Sequence, residues 1–245
     1  MKKAIWLTTT NVAMVEMAST MDIDLAVFDL EHGIMDPSAL EALVGLTKAH
    51  GISPFLKTAA PEARFVMESL DRGADGIVIP QVQDFAHAKR VSAYAKYPVL
   101  GKRGASGGRV FNYARADADF YHSQNTETKC LVMIETAGAL ADVEAIAGLA
   151  TVDGLFVGPT DLALSLGRGA YMQSDQDFAD IAKIAQAAKQ EGKLFVWPAW
   201  SAKEQVYAVQ LGADIVVVAD EMGSLKMGLE TSLSAARQSL SGEYI

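Results

Sequence analysis

Short apolar, β-branched runs recur along the chain with amphipathic stretches between them. The runs at 4–9, 25–30, 53–58, 76–82, 131–135, 154–158, 193–198 and 214–219 read as strands, most of them near-continuously apolar, as strands covered on both faces are. The segments between them carry helix starts at Asp36-Pro37-Ser38, Ala60-Pro61-Glu62 and Ser201-Ala202-Lys203-Glu204, and stops at Gly51, Gly73, Gly192 and Gly212. Eight strands alternating with helices predict a parallel sheet closed into a (β/α)8 barrel. An internal echo, Arg72-Gly73-Ala74-Asp75-Gly76 against Leu211-Gly212-Ala213-Asp214-Ile215, fits one helix stop, tight turn and strand start used twice. Residues 97–128 break the rhythm, and so long a connection is expected to act as a lid or binding loop. Its glycine-rich part at 104–108 neither follows a strand nor opens a helix, so it reads as a mobile segment rather than a phosphate cradle.

Composition narrows the picture. With 245 residues, 50% of them hydrophobic and 21% charged, the chain can bury a large core, and its length suits one barrel over 1–245. A formal charge of −9 and a pI near 4.9 argue against nucleic acid as partner and leave a small molecule. Cys130 is the only cysteine and sits in an apolar run, so it reads as a core thiol in a protein of the reducing cytoplasm. No run is long enough to span a membrane, and the N-terminal apolar stretch meets Thr8-Thr9-Thr10 too soon for a signal peptide; a soluble chain is expected.

In a parallel barrel the strand exits share one rim, where binding and catalysis collect. Collected there are Trp6, Asp29 to His32, Lys57, Gln81, Glu135, Gly158 to Asp161 and Trp197. Glu135 and Asp161 are one strand–helix repeat apart: either they share a hard divalent cation such as Mg²⁺ or Mn²⁺, or each caps the helix that follows. His32 stands three residues after Asp29, which could orient its imidazole as a general-base dyad; the plain alternative is a histidine bonded to backbone in a turn. His50, His87 and His122 read as surface residues. Asp71 sits in the last turn of a helix, against the helix dipole; either solvent absorbs the charge or a neighbouring subunit uses it.

Several blocks together carry a family resemblance: Asp29-Leu30-Glu31-His32-Gly33, the stretch from Leu70 to Pro80, Tyr97-Pro98-Val99-Leu100-Gly101-Lys102-Arg103-Gly104, Ile134-Glu135-Thr136, and Asp153 through Gly158-Pro159-Thr160-Asp161-Leu162. Over nearly its whole length the chain resembles the HpcH/HpaI family of metal-dependent 4-hydroxy-2-oxoacid aldolases, relatives of 2-dehydro-3-deoxyglucarate aldolase. The resemblance implies a TIM barrel of the phosphoenolpyruvate/pyruvate-binding type. It also implies reversible class II cleavage of a 2-keto-3-deoxy type acid to pyruvate and an aldehyde, with Mg²⁺, Mn²⁺ or Co²⁺ as cofactor. It assigns the metal to Glu135 and Asp161 and proton transfer to His32 with Asp29. Trp6, Gln81 and Gly158-Pro159-Thr160 would line the substrate pocket. Asp71 would reach an adjacent subunit's site in a homo-oligomer, a hexamer built as a trimer of dimers. The chain departs from the family at Phe55-Leu56-Lys57-Thr58, where Lys57 replaces an arginine: the charge stays and the planar two-pronged grip is lost. Lys57 also motivates a rival, a Schiff-base aldolase. Two further alternatives are an acyl-CoA lyase of the citrate lyase beta or malyl-CoA type and a non-catalytic oxoacid-binding barrel.

Overall fold

The computed structural model describes residues 1–117 and 119–240. Eight parallel strands, β1 (Lys2–Leu7), β2 (Leu25–Asp29), β3 (Ser53–Lys57), β4 (Gly76–Ile79), β5 (Lys129–Ile134), β6 (Gly154–Val157), β7 (Leu194–Pro198) and β8 (Ile215–Asp220), pair in chain order, and β8 closes on β1. Around them lie α1 (Val12–Ser19), α2 (Pro37–Ala49), α3 (Ala63–Asp71), α4 (Phe85–Ser92), α5 (Phe120–Glu127), α6 (Ala137–Ala141), α7 (Val143–Ala147), α8 (Pro159–Ser165), α9 (Asp175–Gln190), α10 (Ala202–Leu211) and α11 (Glu221–Leu240). All eight expected strands are present. β1 begins earlier than expected and stops at Leu7, because Thr8 and Thr9 give their N–H groups to the Glu221 carboxylate instead of a ladder.

Local chemistry sets the helix boundaries. Asp36 accepts the Ser38 N–H at 2.9 Å ahead of Pro37, Ser201 and Glu204 form a capping box, and Gly212 ends α10 at φ 75°. At the end where strands begin, Asp24, Asp153 and Asp214 accept the N–H groups of Lys3, Cys130 and Phe195 at 2.7, 2.7 and 2.8 Å. Each thereby ties one strand start to the next.

Strand periodicity decides what enters the bore. Val27, Phe55, Val78, Met133, Phe156 and Val196 fill the interior, while Ile77, Val132, Leu155 and Trp197 pack beneath the helices. Two residues beyond Val27, Phe55, Met133 and Phe156 come Asp29, Lys57, Glu135 and Gly158, which therefore face inward at the exits. The same rule turns Trp197 outward, where it lies edge-on to Phe178 and Tyr207 at 6.1 and 6.3 Å. Trp197 thus belongs to the outer core, not to the rim where the sequence suggested it.

The long connection also needs correcting. It follows α4 and leads into β5, so it lies at the end where strands start, opposite the rim, and is no lid over the exits. It holds a 3-10 turn (Arg109–Phe111) and α5, with Phe111 stacked on Phe120 at 4.5 Å. A cavity of about 750 Å³ opens there, lined by Lys2, Ser53, Arg109 and Lys129 among others. Arg103, buried within this connection, bonds the Asp71 carboxylate at 2.9 Å. Neither solvent alone nor a neighbour is needed to explain the acid in the last turn of α3: a guanidinium from the same chain neutralises it.

α11 stands apart from the barrel, with Glu221 its one buried residue among those described. No helix among the described residues is long and apolar enough to cross a membrane.

Cys130 is fully enclosed, and burial pushes its thiol up to about 12. The folded protein should therefore resist a disulfide reagent such as DTNB at pH 8 and react only as fast as it unfolds. Rapid labelling of the native state would contradict this packing.

Candidate active site

Glu135 directly follows β5 with its side chain in the bore, only 2% exposed. Its Oε1 accepts the backbone N–H of Gln81 at 2.5 Å. Gln81 offers that N–H from a left-handed conformation, φ 53°, which a non-glycine residue adopts at a cost of about 1–3 kcal/mol. The β4 exit is pinned beside it, because the Thr136 hydroxyl donates to Val82 O at 2.7 Å and Gly138 approaches Gln83 O too closely for a side chain. From the other side, a Cβ at Gly158 would fall 2.5 Å from Glu135 Oε2, so only glycine leaves the carboxylate its place.

This carboxyl is pushed up to about 7 from 4.5. Burial is the chief cause; the Gln81 N–H and the Lys57 charge oppose it, and the charges of Asp161 and Glu31 add to it. Asp161 is exposed in the first turn of α8, a helix that opens with Pro159 and has no side-chain cap. Neither carboxylate accepts a capping N–H from the helix that follows it, which weakens the capping alternative.

A second cluster forms around Lys57. β2 and β3 pair Asp29 with Lys57 in register, and the buried ammonium lies 2.6 Å from Glu31 Oε2 and 3.5 Å from Asp29 Oδ2. It also stands 5.6 Å over the Trp6 ring, which packs against Phe156. Asp29 Oδ1 accepts the N–H groups of Glu31 and His32, both at 3.0 Å. Asp29 therefore shapes the turn that carries His32; it does not orient the ring as the sequence suggested. The carboxylate beside the imidazole is Glu31, 3.5 Å from Nε2, and the ring is largely exposed at the mouth. The sequence places Glu31 in the rim stretch Asp29 to His32 without a role, although a lysine facing into a barrel demands a counter-ion and Glu31 shares the parity of Asp29. Asp71 is not brought to this rim. It closes α3 at the other end of the barrel.

A (β/α)8 barrel with acidic residues, a lysine and a histidine gathered at its strand exits defines the class as a TIM-barrel enzyme. The family model for HpcH/HpaI aldolase/citrate lyase matches residues 2–225, and the chain belongs to that family of carbon–carbon lyases. It is similar to a hydroxypyruvate/pyruvate aldolase of Rhizorhabdus wittichii, 28% identical with 95% of this chain and 92% of that one covered. It is also similar to a 2-keto-3-deoxy-L-rhamnonate aldolase of Salmonella typhimurium, 30% identical over 90% of this chain and 85% of that one. Among solved structures, the HpcH/HpaI aldolase of Desulfitobacterium hafniense shares the fold with a TM-score of 0.90 at 24% identity, covering 97% and 93% of the two chains.

The raised value at Glu135 carries a sign. A native carboxyl that holds its proton more tightly than the unfolded chain stabilises the fold at acid pH, and that stability is lost as pH rises from 4.5 to about 7. The ionised form then costs on the order of 3 kcal/mol. With EDTA present, Glu135→Gln should raise the unfolding midpoint by roughly 6–12 °C at pH 8 and leave it nearly unchanged at pH 4.5. Equal shifts at both pH values would refute the assignment.

Proposed function

We propose that this chain is a divalent-metal-dependent pyruvate aldolase that cleaves a 4-hydroxy-2-oxo acid reversibly to pyruvate and an aldehyde. The observation that carries this reading is the Glu135 carboxylate, buried in the bore with the Asp161 charge near it and incompletely compensated. Two hard oxygen donors suit Mg²⁺, Mn²⁺ or Co²⁺. Among the described residues no group of three or more His, Cys, Asp or Glu gathers to hold a metal. Glu135 and Asp161 would thus be the protein's own donors, with positions left for a substrate's oxygens and water. Bound there, the cation supplies Lewis acidity that lets the oxo acid carry negative charge. The names of the two aldolase relatives support the same reaction.

The chain's own groups divide the remaining work. When the C3–C4 bond breaks, its electron pair stays with the pyruvate fragment, and the Lys57 ammonium lies where it can offset that charge. Trp6 walls the same side, while the uncapped first turn of α8 offers backbone N–H groups around Thr160 to a substrate carboxylate, with Gly158 and Pro159 shaping its approach. Gln81 acts through its N–H by holding Glu135. His32, at the open mouth, takes the C4 hydroxyl proton in cleavage and returns it in synthesis, with Glu31 beside the ring. Asp71 could serve only a neighbouring subunit's site. The lone buried Cys130 suits a reducing cytoplasm.

A coupled assay of pyruvate release over a panel of 4-hydroxy-2-oxo acids tests the reading. Turnover is expected with Mn²⁺ and lost in EDTA, and Glu135→Ala should lower it at least about 100-fold while the protein stays folded. Borohydride reduction in the presence of pyruvate should trap no adduct on Lys57. Metal-independent turnover with such an adduct would overturn the scheme in favour of a Schiff base.

A homo-oligomer, a hexamer arranged as a trimer of dimers, is part of the same proposal. On α11, Met222, Leu225, Leu229, Leu233 and Leu240 fall on one helical stripe, and all are exposed in the single chain. Light scattering should give a multiple of the chain mass, and the double variant L229E/L233E should reduce it. A wild-type monomer would remove this part of the reading.

A further inference from the structure

Glu221 has no place in the chemistry above, yet its side chain is only 1% exposed at the head of a helix that otherwise lies in solvent. Its Oε2 accepts the N–H groups of Thr8 and Thr9, both at 3.0 Å, and the Thr8 hydroxyl at 3.4 Å; Oε1 accepts the Thr9 hydroxyl at 2.6 Å. One carboxylate thus takes every donor of a dipeptide far away in sequence, in charge-assisted bonds. That dipeptide is the exit of β1, just beyond Trp6.

The same exit supports the turn that carries His32. Thr8 O accepts the Ile34 N–H at 2.7 Å, and Thr9 forms a bridge with Ile34. Between them Gly33 is wedged so closely that a Cβ would lie 2.8 Å from Thr8 O and 2.2 Å from Asp29 O. The His32 imidazole is itself 65% exposed. Its position is therefore set by the backbone of this turn rather than by packing of the ring.

We propose that Glu221 is a positioning residue for His32, acting through Thr8 and Thr9 and then Gly33 and Ile34. The inference rests on the retro-aldol reading, in which His32 moves the C4 hydroxyl proton. Proton transfer depends steeply on placement, so a turn loosened by about 1 Å lowers turnover by one to two orders of magnitude. Binding of the oxo acid and the cation rests on Lys57, Glu135, Asp161, Trp6 and the first turn of α8, none of which shares a hydrogen bond with Glu221.

The test compares E221A, E221Q and T9V in the full-length protein with Mn²⁺. E221A should lower kcat at least about tenfold, with KM and Mn²⁺ affinity within about twofold of wild type. E221Q keeps an acceptor for both N–H groups and should recover most of kcat. T9V removes one donor at lower risk to folding and should shift kcat in the same direction, more weakly. Amide hydrogen exchange at Ile34 should quicken at least about tenfold in E221A, or in T9V if E221A does not fold. Unchanged kcat in the folded variants, KM or Mn²⁺ affinity moving along with kcat, or Ile34 exchange that stays as in wild type would each overturn the proposal. A wild type inactive across the substrate panel would sink the retro-aldol reading, whereas Ile34 exchange would still decide whether Glu221 holds the turn.

Discussion

A carboxylate buried at the mouth of an apolar bore, where water cannot solvate it fully, is the constraint to which the strand-exit end of this barrel answers. Glu135 is held there by one backbone N–H from Gln81, which adopts a left-handed conformation to deliver it, and by a glycine that leaves room where any Cβ would collide. Each of these features is unfavourable or neutral for folding alone. Together they keep an acid in a place where its ionised form destabilises the metal-free protein, a pattern expected where stability yields to function. Gly158 therefore has a steric reason that does not depend on any partner: it is the space that Glu135 occupies.

Charge balance extends the same logic across the rim. Asp29, Glu31, Glu135 and Asp161 bring four carboxyl groups, while among the described residues Lys57 is the one lysine or arginine paired with them, beside the His32 imidazole at Glu31. That ammonium is already shared between Asp29 and Glu31, so the Glu135 and Asp161 side of the bore is short of positive charge. The rim thus has an ion-paired side, at the exits of β2 and β3, and a more acidic side, where Glu135 follows β5 and Asp161 lies in the first turn of α8. Strand register supplies the frame of this division, since Asp29 stands opposite Lys57 and the β5 and β6 exits are neighbours.

The barrel was legible because its signal is repeated eight times: apolar runs of strand length, helix caps such as Asp36 and Ser201, and glycine stops such as Gly212. The inward-facing exits were legible for the same reason, as Glu135, Lys57 and Asp29 stand at the ends of those runs. Parity was not used to the full, and Trp197, one step off the inward series from Val196, lies behind the sheet instead of at the rim. The length of 97–128 marks a loop as unusual without saying which end of the barrel it serves; its position after a helix and before a strand carries that information. The role of Glu31, and Glu221 altogether, escape a reading of the sequence for a different reason. Each is defined by a partner distant in sequence, Lys57 for one and Thr8 with Thr9 for the other, and no local spacing announces such a pairing.

Lys57 is where the family pattern and the local physics meet. An arginine at this position would present a planar fork of donors, whereas lysine presents a compact charge on a flexible stem. In this barrel the stem is enclosed and the charge is fixed from three sides, by Glu31, Asp29 and the face of Trp6. The surroundings thus restore the positional precision that the side chain lacks, although not the second prong. The same enclosure bears on the amine as a nucleophile. To attack a carbonyl it would have to give up its proton, leaving Asp29 and Glu31 side by side without their counter-ion. An ammonium paired with two carboxylates is what the contacts show, and they favour the electrostatic role proposed for Lys57 over a covalent one.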